Sequence, residues 1–560
     1  MKWIFVALMF LAQPFVCAQQ LNQASYHPGS VKRVFLDKAY QKAPYTVLDQ
    51  ENKVVLEGSF SWAGDWSYSG TSVCYADFSD IEQPGTYTLL VAETTLSVPF
   101  RIEADSYTNL AAALIKSYYH ARASIEILPD YAGKFARKMG HPDDRILIHA
   151  SAASPDRPAG SSISSPGGWY DAGDYNKYIV NSGITTFTLL HALELFPEYF
   201  DRLPLNIPES GNRLPDLLDE TLYNLRWMMT MQDPGDGGVY HKLTSLGFCG
   251  MVMPENDLSD RYVVMKSTAA GLDFAATLAK AARVLRAYEP ALPGLADSCL
   301  SMAEKAWGWC ILHPDLVYKQ PADVSTGEYG DRNLSDEWFW AACELYLSTG
   351  KKAYLKKASF SPVDFRVPEW RRTGLLGVYS LLSSPKKLSA SLLKESRETL
   401  MELAGKYLET YRNSPYKISN EEFPWGSNGE VANQGVLFIH AYRLSSDRRY
   451  LDAADACLGY LLGANPVGTS FITGFGIKSP MHIHERRSVA DGIPEPVPGL
   501  LAGGPTLQAR NDCGPEAYPS EYPAACYLDD VCSYSTNEIA INWNAPAVLL
   551  VSALDQLLNK

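Results

Sequence analysis

Two short segments, far apart in the chain, place carboxylates among aromatic and glycine residues. Residues 167–178 read GGWYDAGDYNKY, and residues 534–546 read YSTNEIAINWNAP. Hydrolysis of a glycosidic bond needs one carboxyl group that stays protonated to donate to the leaving oxygen and one that stays ionised to activate water. Aromatic faces beside them suit the flat apolar side of a sugar ring. Together the segments predict a carbohydrate site, and they favour a hydrolase over a protein that only binds the carbohydrate.

In the first segment, Asp171 and Asp174 are separated by Ala172 and Gly173. A turn of this kind places both carboxylates on one side, close enough to share a water molecule. Two negative charges so close disfavour simultaneous ionisation unless hydrogen bonds compensate. An acidic turn or a helix cap is the structural alternative, but four large aromatic residues in the same segment favour a site. We expect Asp174 to remove a proton from water while Asp171 orients that water.

Glu538 is the carboxylate of the second segment and lies between polar Asn537 and apolar Ile539. To act as a general acid near neutral pH it needs a raised pKa, and burial against apolar neighbours is the usual means. A nearby helix N-terminus would lower that pKa. The sequence leaves two starts open for the last helix, Asn537 or Asn544, and a capping role for Glu538 is the structural alternative.

A third segment, residues 480–488, reads PMHIHERRS and holds two histidines and two arginines. Its cations could contact sugar hydroxyls or support the carboxylates. His482 and His484 could instead bind a metal, but no further Cys or His lies near them in sequence, so we do not predict a metal site there.

Composition narrows the classes of partner. The chain has 560 residues, 46% of them apolar, with 63 acidic and 49 basic side chains and a net charge of −14. Such a length implies two domains. An acidic surface without a basic cluster argues against nucleic acid as a partner and leaves neutral glycans open. The oligomeric state is not predicted.

The chain divides into three parts. Residues 1–18, a short positive start followed by an apolar run and small residues, are typical of a signal peptide, so we expect export to the periplasm or the exterior and no permanent membrane span. Residues 19–103 alternate with period two between short turns, which predicts an immunoglobulin-like β-sandwich. Residues 104–560 carry about a dozen helical patterns, including 545–558, which predict a toroid of paired helices. Cys513, Cys526 and Cys532 could supply one disulfide, whose pairing cannot be read from the sequence.

These segments resemble glycoside hydrolase family nine, the inverting cellulases, in the subgroup with an immunoglobulin-like domain before an (α/α)6 barrel. Further matching segments, in the expected order, are residues 214–220 (LPDLLDE), 236–242 (DGGVYHK), 266–270 (KSTAA) and 460–466 (YLLGANP). The resemblance covers nearly all of the chain after residue 18 and implies an endo-acting β-1,4-glucanase on cellulose, mixed-linkage glucan or xyloglucan.

By this resemblance Asp174 is the catalytic base, Asp171 its partner and Glu538 the general acid. The family pattern His-His-Arg falls on His484-Glu485-Arg486, so Glu485 replaces one histidine. Substrate contacts are implied for His484, Arg486, Trp169, Tyr527, Tyr534, Trp425 and His241.

The resemblance implies no cofactor for the chemistry. A Cys and His zinc cluster of some relatives is replaced here by residues 161–166, SSISSP, so we expect no zinc. Asp331, Asp336 and Glu337 could bind a structural calcium ion, although a solvated acidic loop explains them equally well.

Three other functions remain open at this stage. One is an exo-acting enzyme on cello-oligosaccharides, which differs in the shape of the loops around the cleft. Another is a non-catalytic glycan-binding protein, against which the complete set of carboxylates argues. An immunoglobulin-bearing adhesin would explain only the first hundred residues.

Overall fold

A computed structural model describes residues 20–559, and the first part of these, residues 20–102, is a β-sandwich. Its two four-stranded sheets have the strand orders β1-β2-β6-β5 and β4-β3-β7-β8, and neighbouring strands run antiparallel. The strands are β1 (Gln20–Leu21), β2 (Arg33–Asp37), β3 (Pro44–Asp49), β4 (Val54–Ser59), β5 (Ser61–Trp66), β6 (Thr71–Asp77), β7 (Gly85–Val91) and β8 (Ser97–Ile102).

The alternation of side chains explains why these residues form a sandwich. In β8, Val98, Phe100 and Ile102 are buried while the residues between them are exposed. Val34 from one sheet and Val47 from the other are both fully buried in the shared core. The predicted immunoglobulin-like sandwich is confirmed.

The remaining residues form a double ring of helices. The inner ring consists of α3 (Ile179–Leu195), α6 (Thr268–Leu285), α8 (Ser335–Thr349), α9 (Gly374–Ser383), α11 (Ser427–Ser445) and α15 (Ile541–Leu558). Outside them lie α1 (Ser106–Ala121), α5 (Asp216–Thr230), α7 (Leu295–Leu312), α10 (Ala390–Asn413) and α12 (Arg448–Leu461), and the 3-10 segment Tyr354–Lys357 packs on α8 in the sixth outer position. Inner and outer elements alternate along the chain, so the predicted (α/α)6 barrel is confirmed.

The helices of the two rings differ in how many of their residues are buried. Helix α6 buries every residue but Arg283, as expected of a helix that packs on both sides. Helix α10 buries a single stripe of six residues among 24. Helix α15 contacts both α11 and α3 and so joins the end of the ring to its beginning.

Short elements between the helices shape one end of the barrel. A five-stranded sheet has the order β10-β9-β13-β12-β11, with β9 (Ile146–Ile148), β10 (Ser162–Ile163), β11 (Lys177–Tyr178), β12 (Lys242–Thr244) and β13 (Tyr262–Val263). The short helices are α2 (Pro129–Ala132), α4 (Pro197–Phe200), α13 (Arg486–Ala490) and α14 (Tyr534–Asn537). Strand β11 leads directly into α3, which anchors the segment that carries Asp171 and Asp174.

Asp455 of α12 joins the sandwich to the barrel. Its carboxylate accepts hydrogen bonds from the Val31 amide at 2.7 Å and from the Tyr107 hydroxyl at 2.7 Å. Because Val31 belongs to the sandwich and Tyr107 to α1, one buried side chain fixes both domains to each other.

Three further expectations concern single features. Cys513 and Cys532 form a disulfide, and Cys526 is free. The last helix, α15, begins at Ile541, between the two starts that the sequence left open, Asn537 and Asn544, and it includes Pro546. Among residues 20–559, no helix is both long and apolar enough to cross a membrane, and the predicted signal peptide, residues 1–18, lies outside the described residues.

Candidate active site

A cleft of about 420 Å³ opens at the end of the barrel where the inner helices begin. Most of its lining comes from segments that precede or start an inner helix: residues 171–178 before α3, 327–329 before α8, 368–371 before α9, 424–433 at α11 and 538–543 at α15. Phe248 and Gln508 are added from other loops. Asp171, Asp174 and Glu538 all lie in its wall. The barrel therefore brings together carboxylates that are more than 360 residues apart in sequence.

Asp171 is held on both carboxylate oxygens. The Asn181 amide donates to them at 2.9 and 3.0 Å, and the Tyr329 hydroxyl donates to Oδ2 at 3.0 Å. The Ile541 amide donates to the Asp171 carbonyl at 2.9 Å. Asp171 is thus a fixed acceptor that links the starts of α3 and α15.

Asp174 has one fixed oxygen and one free one. Oδ2 accepts hydrogen bonds from the Asn176 amide and from the Tyr178 hydroxyl, the latter at 3.0 Å, whereas the buried Oδ1 has no hydrogen-bond partner in the described part of the chain. A carboxylate held on one side with its other oxygen unpaired can accept a proton from a water molecule in the cleft.

Gly173 marks the contact between the distant segments. A β-carbon at this position would lie 2.3 Å from the carbonyl oxygen of His484 and 3.2 Å from Oε1 of Glu538, so only glycine permits the approach. His484 pairs with Glu538 in a parallel bridge, and the His484 amide donates to the Asn537 carbonyl at 3.0 Å. The segments that carry Asp174, His484 and Glu538 therefore meet through their backbones.

Glu538 lies in extended backbone between α14 and α15, with φ −69° and ψ 155°, and is not the cap of the last helix. Burial raises its pKa well above the usual range, and the charges of Asp174 and Asp171 raise it further. The raised pKa favours the protonated form of the carboxyl group, which can donate a proton.

The two aspartates differ in their electrostatic surroundings. Burial, and then the charge of Asp174, raise the pKa of Asp171 to about 8. Burial also raises the pKa of Asp174, but Asn176, Arg486, Tyr178 and Lys242 oppose the shift. Asp174 is therefore the member of the pair with the greater support for its ionised form.

Three of the predicted substrate contacts, Trp169, His241 and Tyr527, have buried side chains that do not line the cleft. Trp169 is 0% exposed, and its indole Nε1 donates to Glu220 at 2.7 Å. His241 is also 0% exposed and bonds through Nδ1 to Ser267 at 2.8 Å. The Tyr527 hydroxyl donates to the Asn537 side-chain oxygen at 2.5 Å. Aromatic composition alone could not distinguish these packing roles from sugar stacking.

The other predicted contacts lie in or beside the cleft. Trp425 is 40% exposed and lines it. The Tyr534 ring packs 5.3 Å from that of Trp425 and 5.8 Å from that of His484. Arg486 is buried and donates to the carbonyls of Gly173 and Cys249, so it positions backbone.

Glu485, which stands where the family pattern has histidine, accepts from the Ser488 amide at 2.9 Å and caps α13. It also forms a buried ion pair with Arg487. The residue thus acts on the backbone of its own loop.

Sequence reasoning missed three aromatic side chains that line the cleft: Phe248, Tyr329 and Trp370. Phe248 is 52% exposed, and an aromatic residue between Gly247 and Cys249-Gly250 is the signal that could have identified it. Tyr329 has a backbone φ of 48°, which a non-glycine residue rarely adopts and which is frequent at functional sites.

The predicted calcium residues form an acidic cluster with Asp273 of α6. Six of the eight carboxylate oxygens of Asp273, Asp331, Asp336 and Glu337 have no hydrogen-bond partner among the described residues. Burial and the charges of neighbouring carboxylates raise the pKa of Asp273 and Glu337 well above the usual range. The acidic cluster is looser than a closed coordination shell, because no three of its residues place ligand atoms within 4.8 Å of one another. Among the described residues, Cys513, Asp530 and Cys532 meet that distance, but the two cysteines are joined in a disulfide.

Comparisons with known proteins cover both domains. The family model described as glycosyl hydrolase family 9 matches residues 107–551, and the model of the cellulase N-terminal ig-like domain matches residues 19–95. A xyloglucan-specific endo-β-1,4-glucanase from Bacteroides ovatus is 42% identical over 558 residues, covering 96% of this chain and 94% of that protein. Endoglucanase D from Acetivibrio thermocellus is 33% identical over 541 residues, covering 94% and 82%. The solved structure of Bacteroides ovatus GH9 has a TM-score of 0.90 and 41% identity, covering 97% of this chain and 99% of that one.

Proposed function

The chain belongs to glycosyl hydrolase family 9 and is an endo-β-1,4-glucanase, and from this premise we propose that it cleaves the β-1,4-linked backbone of xyloglucan with inversion at the anomeric carbon. The choice of xyloglucan is supported by the 42% identity to an enzyme specific for that polymer. The assignment of the chemistry is supported by one observation above the rest: Asp174, with one unpaired oxygen, and Glu538, with a raised pKa, line the same cleft.

The proposed reaction is a single displacement. Glu538 donates its proton to the glycosidic oxygen as the bond from that oxygen to the anomeric carbon breaks. Water attacks the same carbon from the opposite face and gives its proton to Oδ1 of Asp174. Asp171, through its fixed oxygens, orients the water. Inversion requires the two carboxyl groups to be roughly 6.5–9.5 Å apart, which leaves room for that water.

A substrate panel tests this function. Soluble xyloglucan and unbranched mixed-linkage β-glucan are compared by kcat/KM, the product sizes are followed with time, and the anomeric configuration of the first products is followed by NMR. We expect higher kcat/KM on xyloglucan, a spread of product sizes and initial α-anomers. Initial β-anomers would contradict the inverting mechanism, and equal rates on both polymers would contradict the choice of substrate.

The chemistry requires no cofactor in this proposal, but the unpaired buried oxygens of the acidic cluster favour a structural calcium ion, around which the side chains would draw closer. The cluster's unpaired buried oxygens are the ligands that calcium prefers, and their charge must be balanced by shared protons or by a cation. Asp331, Asp336 and Glu337, with Asp273, would hold the ion.

We expect calcium to raise the melting temperature by a few degrees relative to the protein in chelator, because an ion that binds only the folded state stabilises it. Thermal unfolding of the wild type and of Asp331→Asn, each with calcium or chelator, measures this. An equal shift in both proteins would exclude Asp331 as a ligand, and no shift in the wild type would refute the site.

Export completes the proposal. It is supported by the signal-like pattern of residues 1–18 and by the Cys513–Cys532 disulfide, since disulfides persist in oxidising compartments. Mass spectrometry of the protein recovered from outside the cytoplasm is expected to find Gln19 as the first residue; an intact Met1 there would contradict cleavage.

A further inference from the structure

A second cavity adjoins the cleft and is not used by the proposed reaction. It has a volume of about 250 Å³ and lies between α10, α11 and the loop segments at residues 364–372 and 419–422. Glu430 of α11 lies in the wall of both cavities. The two spaces therefore share a boundary at that side chain.

At this boundary, Arg372 forms hydrogen bonds with two glutamates. Arg372 donates to Glu430 at 3.3 Å and to Glu369 at 2.8 Å. Glu369 lines the cleft, whereas Arg372 lines the second cavity. Burial raises the pKa of Glu430 to about 7, so a sugar hydroxyl at this boundary meets both donors and acceptors.

Gln434, another residue of the second cavity's wall, presents an unpaired acceptor. It lies one turn beyond Glu430 on α11, so the two share a helix face. Its amide nitrogen donates to Asn420 at 2.9 Å, but its Oε1 has no partner within residues 20–559 although the side chain is only 2% exposed. A buried amide oxygen without a donor costs free energy unless a ligand or water supplies one.

Two aromatic rings stand among mostly polar and charged side chains in the rest of the cavity wall. The partly buried ring of Phe365 comes from the loop segment at residues 364–372, and that of Tyr407 comes from α10. An aromatic face together with acceptors and donors at its edge is the combination that binds a pyranose ring. The volume is below the roughly 300–1,000 Å³ of sites for whole ligands, so it suits one monosaccharide ring.

We propose that this cavity is a branch subsite, which takes a single sugar substituent of the glucan backbone while the backbone itself lies in the cleft. The inference rests on the proposed function, because xyloglucan carries such single-ring branches and unbranched glucans do not. Gln434 and Tyr407 are its specificity-determining residues. Neither lines the cleft that contains the carboxylates.

The test compares two substrates across three variants. Gln434→Leu removes the acceptor at similar volume, and Tyr407→Ala removes the aromatic wall. Tyr442→Ala is the matched control, a partly buried tyrosine of α11 that lines neither cavity. Each protein is assayed for kcat/KM on soluble xyloglucan and on mixed-linkage β-glucan, with thermal unfolding as a check on folding.

For both cavity variants we expect kcat/KM on xyloglucan to fall at least tenfold, within the roughly 10–200-fold range for loss of a pocket contact. Their kcat/KM on mixed-linkage β-glucan is expected to change less than twofold. In the control Tyr442→Ala, the ratio of kcat/KM on xyloglucan to kcat/KM on mixed-linkage β-glucan is also expected to change less than twofold. A wild-type preference for xyloglucan that survives in both variants would overturn the branch subsite alone, and so would equal losses on the two polymers. A wild type without that preference would overturn the choice of substrate, and the branch subsite with it.

Discussion

Replacing Asp174 with alanine is expected to lower kcat on soluble β-1,4-glucans by roughly 10²–10⁴-fold, the usual contribution of a general base. The physical reason is that Oδ1 of Asp174 is the unpaired oxygen available to take a proton from water. Folding should be preserved, because the partners of Oδ2 within residues 20–559 are Asn176 and Tyr178, which remain bonded to or packed against other parts of the cleft wall. Initial-rate measurements and thermal unfolding test both statements.

Azide distinguishes a lost base from a distorted cleft. An azide ion needs no deprotonation, so it can attack the anomeric carbon in Asp174→Ala while Glu538 still protonates the leaving oxygen. We expect part of the lost rate to return, with an α-glycosyl azide as the product. Asp144→Ala, at an exposed carboxylate, serves as the control and should behave as the wild type. Full activity of Asp174→Ala without azide would refute the assignment.

Replacing Glu538 with glutamine is expected to reduce kcat by a similar factor, because the amide keeps the shape of the side chain but cannot donate an acidic proton. The raised pKa gives the direction of the pH dependence. In the wild type the acid stays protonated above the ordinary range of a glutamate, and activity is lost as the pH rises through the raised pKa. Glu538→Gln should lose this alkaline limb, which a profile of kcat/KM against pH would measure.

An aryl β-cellobioside with a strongly acidic phenol as leaving group provides the matched comparison. Departure of such a phenolate needs little protonation, so Glu538→Gln should lose far less rate on it than on a glucan. An equal loss on both substrates would assign Glu538 a structural role instead of proton donation.

The sequence was informative about the carboxylates because their chemistry is local. The segment around Asp171 and Asp174 combines a turn, paired acids and aromatics within twelve residues, and the structure places both acids at the cleft. Period-two and helical patterns were equally local, and they predicted a sandwich and a double ring of helices correctly.

The sequence was less informative about which aromatic side chains face the cleft. Trp169 and Phe248 both lie in Gly-rich segments, yet one is fully buried against Glu220 and the other is exposed. The choice depends on the buried carboxylate of Glu220, which lies 51 residues from Trp169 in sequence and is also bound by Arg122. Such tertiary partners leave no periodic signal in the sequence.

Helix α15 closes the ring between α11 and α3, and the segment just before it carries Glu538. Glu538 and α15 are therefore synthesised after the segments that carry Asp171 and Asp174. A growing chain that still lacks Glu538 has no proton donor to face Asp174, so we expect hydrolysis to begin only after α15 has docked between α11 and α3.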